Sequence, residues 1–319
     1  MGSGRNSYFG WVQETTWGTP VTPPTKWAEI VSESLQSIRD QEARPVIRAL
    51  HKREGNLYDK KFGGSGTIGM ELNYEGLLRL MEHLTGTTPT PTVDGARREY
   101  DFTMAAGELV AGKGLTAYIF KDQTQEEQFT GVKIKSAKFS LDPGRNSQVE
   151  LDFVAKDVAQ VAVTAPTFPA TGLYCAGHQL TCKIDTVLRS IDSAEVTIDN
   201  NIDDDKRVLG SKNIAEPVRK DGVVSIQGSI VVDAVQQDLT DWLAGTLHKI
   251  ELLHTGAVIG TGTYKFNFQM DKCRITANPI VVKGPGIVKA TLPFEALFPV
   301  AGLAGLCHVI VSGAETAIA

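Results

Sequence analysis

Apolar and polar residues alternate along much of the chain, and a period of two predicts β-strands with one buried and one wet face. From Val132 to Leu141, one face carries Val132, Ile134, Ser136 and Lys138. The other carries Lys133, Lys135, Ala137, Phe139 and Leu141. Val149-Glu150-Leu151-Asp152-Phe153 alternates apolar with acidic more cleanly. The segment between them, Asp142-Pro143-Gly144-Arg145-Asn146, has turn chemistry: proline presets φ, and glycine and asparagine tolerate positive φ. The two runs therefore read as an antiparallel hairpin. Tyr264 to Met270 alternates as well, and Ile287 to Phe294 does so more loosely.

Two stretches follow helical spacing instead. Tyr74 to Thr85 sets Leu77, Leu80, Met81 and Leu84 on one stripe and stops at Gly86. Asp233 to Ala244 does the same with Val235, Leu239, Trp242 and Leu243, stopping at Gly245. Glycine just past a helix accepts the left-handed conformation that ends it. Each helix follows a strand-like run, Gly66 to Leu72 and Val223 to Val232.

Those matched pairs point to an internal repeat. A shift of 159 positions superposes Gly69 on Gly228, Leu72 on Val231, Leu80 on Leu239, Leu84 on Leu243 and Gly86 on Gly245 (245 − 86 = 159). It also superposes Arg48 on Arg207 and Leu50 on Leu209. Further on, a shift of 141 places Leu151 on Leu292 and Phe153 on Phe294 (294 − 153 = 141). The difference, 18 residues, is assigned to the Gly/Pro/Thr-rich stretch from Thr87 to Gly114. The expected organisation is a tandem duplication of one β-rich unit carrying a single helix. Its parts are an arm over 1–30, a first unit over 31–161, a linker over 162–173, a second unit over 174–298 and an extension over 299–319.

Composition narrows the function classes. The 319 residues carry 32 Lys and Arg against 37 Asp and Glu, a net charge of −5. Tight nucleic-acid binding rests on a dense basic surface, which this balance does not provide. Four cysteines (Cys175, Cys182, Cys273, Cys307) in so long a chain make no disulfide framework and read as free thiols. The first twenty residues lack the cationic start and apolar run of a secretory leader. No run approaches the ~18 apolar residues that span a bilayer, so no membrane partner is expected.

Motifs with chemistry in them fail on inspection. Gly107 to Gly114 mimics a phosphate-binding loop, but Gly114 stands where Ser or Thr must hold the metal, and Leu115 to Phe120 reads as a strand. Asp199, Asn201, Asp203 and Asp205 have calcium-loop spacing, yet Asp204 and Gly210 occupy the positions that need Gly and Glu. Cys175, His178 and Cys182 lack paired zinc knuckles. Lys133, Lys135 and Lys138 beside Phe139 form the best stripe for single-stranded nucleic acid, against a plainer reading as a solvated or intersubunit strand face. No nucleophile stands at a recognisable spacing from a base. No catalytic residue, cofactor or metal is expected.

The opening Gly10-Trp11-Val12-Gln13-Glu14-Thr15-Thr16-Trp17-Gly18-Thr19-Pro20-Val21 resembles a recurrent start of siphophage tail-tube proteins. There a Gly, a short polar stretch, Glu-Thr, an aromatic, Gly-Thr and Pro open the chain. The duplicated strand–helix–strand order is similar to the two-domain members of that family. The resemblance implies a mostly β fold: two tandem β-sandwich domains with one short helix each, contributing strands to an intersubunit β-barrel. It implies a homotrimeric, pseudo-hexameric ring, stacked into a virion tail tube assembled in the host cytoplasm. The implied partners are sister copies and other tail proteins (tape measure, terminator, distal tail), with DNA only as passing cargo. The candidate lumen residues are Glu150 and Asp152. The candidates for ring stacking are Trp11, Glu14 and Trp17 in the arm and Asn56, Tyr58 and Lys60 in a polar loop. Two other readings remain beside it: a tail-terminator or tail-tip ring protein of the same fold, and a carbohydrate-binding or hydrolytic β-protein. The latter wants exposed tryptophans in a concave site, whereas Trp11, Trp17 and Trp27 lie in the arm and Trp242 on a helix.

Overall fold

A computed structural model describes residues 6–43, 57–104, 109–169, 173–220, 224–280, 288–297 and 307–318. The chain is mostly β, built almost wholly of antiparallel strands. In the first half these are β1 (Tyr8–Gln13), β2 (Lys26–Glu29), β3 (Ser32–Glu33), β4 (Gln36–Ala43), β5 (Leu57–Glu71), β6 (Thr92–Asp94), β7 (Arg97–Thr103), β8 (Leu115–Phe120), β9 (Glu126–Leu141), β10 (Gln148–Ala155) and β11 (Asp157–Val161), with helix α1 (Leu78–Thr85) after β5. In the second half they are β12 (Leu180–Ile184), β13 (Val187–Arg189), β14 (Ile191–Asp199), β15 (Ser225–Asp233), β16 (Leu247–Ile259), β17 (Gly262–Ile275), β18 (Lys289–Ala296) and β19 (His308–Gly313), with α2 (Gln236–Ala244) after β15.

One pairing order occurs twice. In the first half β2 pairs β1, β1 pairs β8 and β8 pairs β9. In the second, β13 pairs β12, β12 pairs β16 and β16 pairs β17. A second sheet runs β4-β5-β10-β9 and continues across the midpoint as β14-β15-β18-β17. The crossing is a direct ladder, with Phe139 of β9 opposite Val196 of β14.

The strands β9 and β17 serve both sheets, which pins the layers together. Phe9 on β1 meets Phe153 on β10 with ring centroids 5.7 Å apart. Phe139 meets Phe268 of the second half at 4.6 Å. All four rings are buried in one continuous core, and aromatic pairs of this kind add about 0.5–1.5 kcal/mol each beyond their area.

The predicted hairpin is present as β9 and β10, but its faces are not those of simple alternation. The register slips between Asp152 and Phe153: Asp152 opposes Ser136, whereas Phe153 opposes Ile134. Lys135 is the extra residue of a β-bulge, and a bulge inverts the parity of everything beyond it. Ile134 and Phe139, expected on opposite faces, are therefore both fully buried. The strand registers of the two halves also depart from the expected 159 shift by three. Phe153 opposes Gly66 and Phe294 opposes Gly228, so the matching glycines are Gly66 and Gly228 (228 − 66 = 162), not Gly69 and Gly228. At the helix ends the 159 shift holds, since Gly86 (φ 80°) and Gly245 (φ 66°) both take the left-handed C-cap. The first half thus has three more residues between strand and helix. Arg48 and Leu50 lie outside the described residues.

The stretch from Thr87 to Gly114, assigned as the extra loop of the first half, is more than a loop. It supplies β6 and β7, and β7 pairs β19, which pairs β17. Strand β19 thus stitches this stretch of the first half to a sheet of the second. Beyond β19, Glu315 reaches Lys26 and the Gly76 backbone of the first half. Residues 162–169 carry no strand.

Candidate assembly interface

The continuous sheet has one apolar and one polar face. On β10, Leu151 and Phe153 are buried while Glu150 is exposed and Asp152 half-buried. Neighbouring strands put Lys138 and Gly69 beside Glu150, and Ser136 and Thr67 beside Asp152. Across the midpoint the same face shows Glu195, Thr197, Gln227 and Ser229. Acids there alternate with bases: Lys138 pairs Glu195 at 3.0 Å, and Lys135 meets Asp204 at 2.9 Å and Asp152 at 4.0 Å. Burial raises the Asp152 carboxyl above the usual carboxylate range, with Lys135 opposing. The hydrogen bond to Lys135 holds Asp204 low despite burial.

These pairings dispose of the lysine stripe. Lys133 is buried and spans the Val110 carbonyl at 2.7 Å and Glu216 at 3.0 Å. Lys135 is the bulge residue and Lys138 is matched by Glu195. A row of free cations for phosphate does not form on this strand.

Of the arm residues, Trp11 and Glu14 lie in the interior and Trp17 is half-buried. Trp11 is fully buried in the core beside Phe9. Glu14 is also fully buried and accepts from Gly131 N at 2.7 Å, Gly18 N at 2.6 Å and Thr116 Oγ1 at 3.0 Å. Burial still pushes its carboxyl up, and those donors with Lys156 oppose the shift. Trp17 donates to the Gly131 carbonyl at 3.1 Å, and Lys156 lies over its ring at 4.9 Å. Glu-Thr-x-Trp-Gly is therefore a clamp between the arm and β9 within one chain. Tyr58 and Lys60 are exposed on β5, both bound to Glu42. Asn56 lies outside the described residues.

The loop between β14 and β15, which the sequence marks only by an incomplete calcium-loop spacing, joins the halves. Asp205 pairs Lys61 at 2.9 Å, Lys212 pairs Asp59 at 3.6 Å and lies over Phe62 at 4.7 Å. Asn213 donates to the Lys156 carbonyl at 3.0 Å, and Glu216 accepts from Gly112 N at 2.8 Å. Asn200, fully buried, donates to the Leu84 carbonyl at 2.9 Å and the Ile134 carbonyl at 3.2 Å. Nothing in residue spacing marked Asn200, because its partners lie 116 and 66 positions away.

The four cysteines are free and buried, and burial raises the thiols of Cys175, Cys182, Cys273 and Cys307. A thiol held protonated is a poor nucleophile and a poor ligand. No group of His, Cys, Asp and Glu among the described residues is arranged to hold a metal.

Among the described residues the sheet has two unpaired ends, and that is its main chemical property. Among the described residues β4 pairs only β5, and residues 276–280 beyond β17 pair only with β18. Open strand edges are templates for another chain.

No curated protein matches the chain. The family model described as phage tail tube protein matches residues 4–296 of the 319, and the chain belongs to that family.

Proposed function

We propose that three copies of this chain close a ring, and that stacked rings form the tube through which DNA leaves the phage particle. The observation that carries this reading is the continuous polar-faced sheet, which runs β4-β5-β10-β9-β14-β15-β18-β17 and, among the described residues, has both ends open. The recurring strand order supports a tandem duplication with units over 31–161 and 174–298, the first taking β1 and β2 of the arm as counterparts of β12 and β13. Each unit then stands for one subunit of a sixfold ring, and three chains supply all six.

Three sheets of this kind contribute about twenty-four strands, and at ~4.8 Å spacing with little to moderate tilt the barrel is roughly 37–48 Å across. That leaves space for a duplex about 20 Å wide once side chains line the wall. Eight strands closed on themselves would enclose only side chains. The polar face lines the lumen in this reading, with Glu150 and Asp152 on it. Its lysines are matched by acids and the chain is net acidic. Such a wall does not hold phosphate, so the role is structural and passive, and no reaction is assigned.

Tyr58 and Lys60 remain as candidates for contacts between stacked rings, since their side chains are exposed at the end of a long hairpin. Tail proteins at either end of the tube and the host cytoplasm as assembly site complete the proposal. Light scattering with negative-stain microscopy tests it. Trimer multiples and hollow stacks of uniform width are expected. A single monodisperse ring would favour a terminator or tip protein, and a stable monomer would end the reading.

A further inference from the structure

The join between the two halves of one chain is a template for the join between two chains, an extension that rests on the proposed ring. Inside the chain, Ser136–Leu141 of β9 pairs with β14, Phe139 opposite Val196 and Ser136 opposite Asp199. The end of β17 repeats that stretch down to its bulge. Phe153 opposes Ile134 and Phe294 opposes Ile275, and past these pairs both ladders slip by one, to Asp152 with Ser136 and Ala290 with Ile280. The sums of paired numbers show it: 287 becomes 288 in the first ladder, and 569 becomes 570 in the second. Residues 277–280 therefore stand where 136–139 stand (280 − 139 = 141). Likewise Leu35, across from Gly66, stands where Val196 stands across from Gly228 (196 − 35 = 161).

Both open edges are occupied by side chains in the place of a strand. Asn278 Oδ1 accepts the Ile280 amide at 3.1 Å. Lys121 Nζ donates to the Leu35 carbonyl at 3.0 Å. Pro279 does not spoil the edge. Its carbonyl accepts from Thr291 N at 2.9 Å, so its nitrogen faces β18, where a missing donor leaves the outer ladder intact. In the template the hydrogen bond from Asn200 N to Lys135 O makes Val196–Phe139 a hydrogen-bonded pair and Asp199–Ser136 a non-bonded one.

The template also says what covers α2. At the internal join Asn200 caps the last turn of α1 through the Leu84 carbonyl. Among the described residues no such cap reaches α2 in the single chain, where Leu243 is 70 % exposed. The position matching Asn200 is Arg39 (200 − 161), an exposed cation paired with Asp59 at 3.1 Å in the single chain and suited to the negative end of a helix.

We infer that residues 276–280 add as a strand to β4 of a second copy, Ile280 opposite Leu35 and Ala277 opposite Ile38, and that the same contact seats Arg39 against the end of α2. Paired cysteines test the register. Ile38 and Ala277 form a non-bonded antiparallel pair, whose Cβ atoms lie about 4.5–5.5 Å apart, close to disulfide reach. They sit at opposite ends of one sheet, so a bond between them is intermolecular. The native thiols are buried and stay out of the reaction.

The double variant Ile38→Cys/Ala277→Cys, assembled and mildly oxidised, is expected to run as covalent trimers on a non-reducing denaturing gel. The offset pair Ser37→Cys/Ala277→Cys, which points to opposite faces, is expected to stay monomeric there. Rings that form without the cross-link, or that cross-link equally in the offset pair, overturn the seam while leaving the ring reading standing. Wild-type protein that forms no ring sinks both. Leu243→Asp is expected to leave the subunit's thermal melt unchanged and to reduce assembly at least tenfold. Unimpaired assembly of that variant would overturn the covering of α2.

Discussion

The two helices occupy matching places after matching strands, yet their surroundings differ sharply. In α1, Leu78, Leu80, Met81, Glu82, His83, Leu84 and Thr85 are all buried. In α2 only Asp238 is, held by Arg189 at 2.9 and 3.0 Å, while Val235 and Leu243 face outward. Local sequence does not explain the contrast, since both helices carry an apolar stripe and both end on a left-handed glycine. The difference is made by neighbours. Strands β7 and β9, the chain's end through Ile318 and the second half through Asn200 all touch α1. In the proposed seam the exposed end of α2 meets a second copy, which supplies the neighbours it lacks in the single chain.

The largest expected effect sharpens that contrast. Leu84→Ala removes a fully buried side chain and is expected to cost about 2–5 kcal/mol in denaturant melts. Leu243→Ala, at the matching position, is expected to change the isolated subunit by less than about 0.5 kcal/mol. Equal losses would show that the two helices are packed alike in solution.

Acid should act on the buried side of the comparison. Burial, with Lys133 and Arg79 nearby, lowers His83 to about 3, and burial lowers His254 to about 4. Both are neutral in the folded chain, whereas the unfolded chain protonates them near pH 6.5. Their contribution is fully present above about pH 6.5 and is lost as pH falls from there toward 4 and then 3. Burial shifts the Glu14 carboxyl the opposite way and offsets part of this. A melting temperature that falls between pH 6.5 and 4, with a shallower slope in His254→Gln, is the expected result; parallel slopes would exclude His254 as a cause.

Glu14→Gln keeps the shape of the clamp but turns one acceptor into a donor facing Gly131 N, Gly18 N and Thr116. A loss of about 1–3 kcal/mol in chemical denaturation is expected. A smaller loss than that of Glu14→Gln belongs to the glycine caps. A side chain at φ 66° is strained even though nothing lies within 4 Å of a Cβ on Gly245. Gly245→Ala should therefore cost about 1 kcal/mol, all of it backbone, and a neutral result would contradict the left-handed cap.

Much of the fold was legible because it is local. Turn chemistry at Asp142–Asn146, alternation around Leu151 and the glycines after each helix act within a few residues, and each produced the expected element. The bulge at Lys135 was not legible, because no residue type demands a bulge and its only trace is a change of parity. The 162 shift stayed hidden for the same reason: Gly69 and Gly66 are equally plausible partners for Gly228 until the ladders are seen. The stitching of β7 through β19 to β17 joins residues more than two hundred apart, and no periodicity encodes such a pairing. For the arm, sequence resemblance located Glu14 and Trp17 of the clamp and Trp11 of the core, but not that all three pack within their own chain.

The central claim is that one polypeptide provides an open arc of sheet which sister chains complete. A three-dimensional reconstruction of the assembled protein, solved without imposed symmetry, tests it most directly. Three chains per ring with unbroken strand-to-strand spacing from β17 of one copy to β4 of the next are predicted. Six chains per ring, or gaps in the wall between copies, would contradict it.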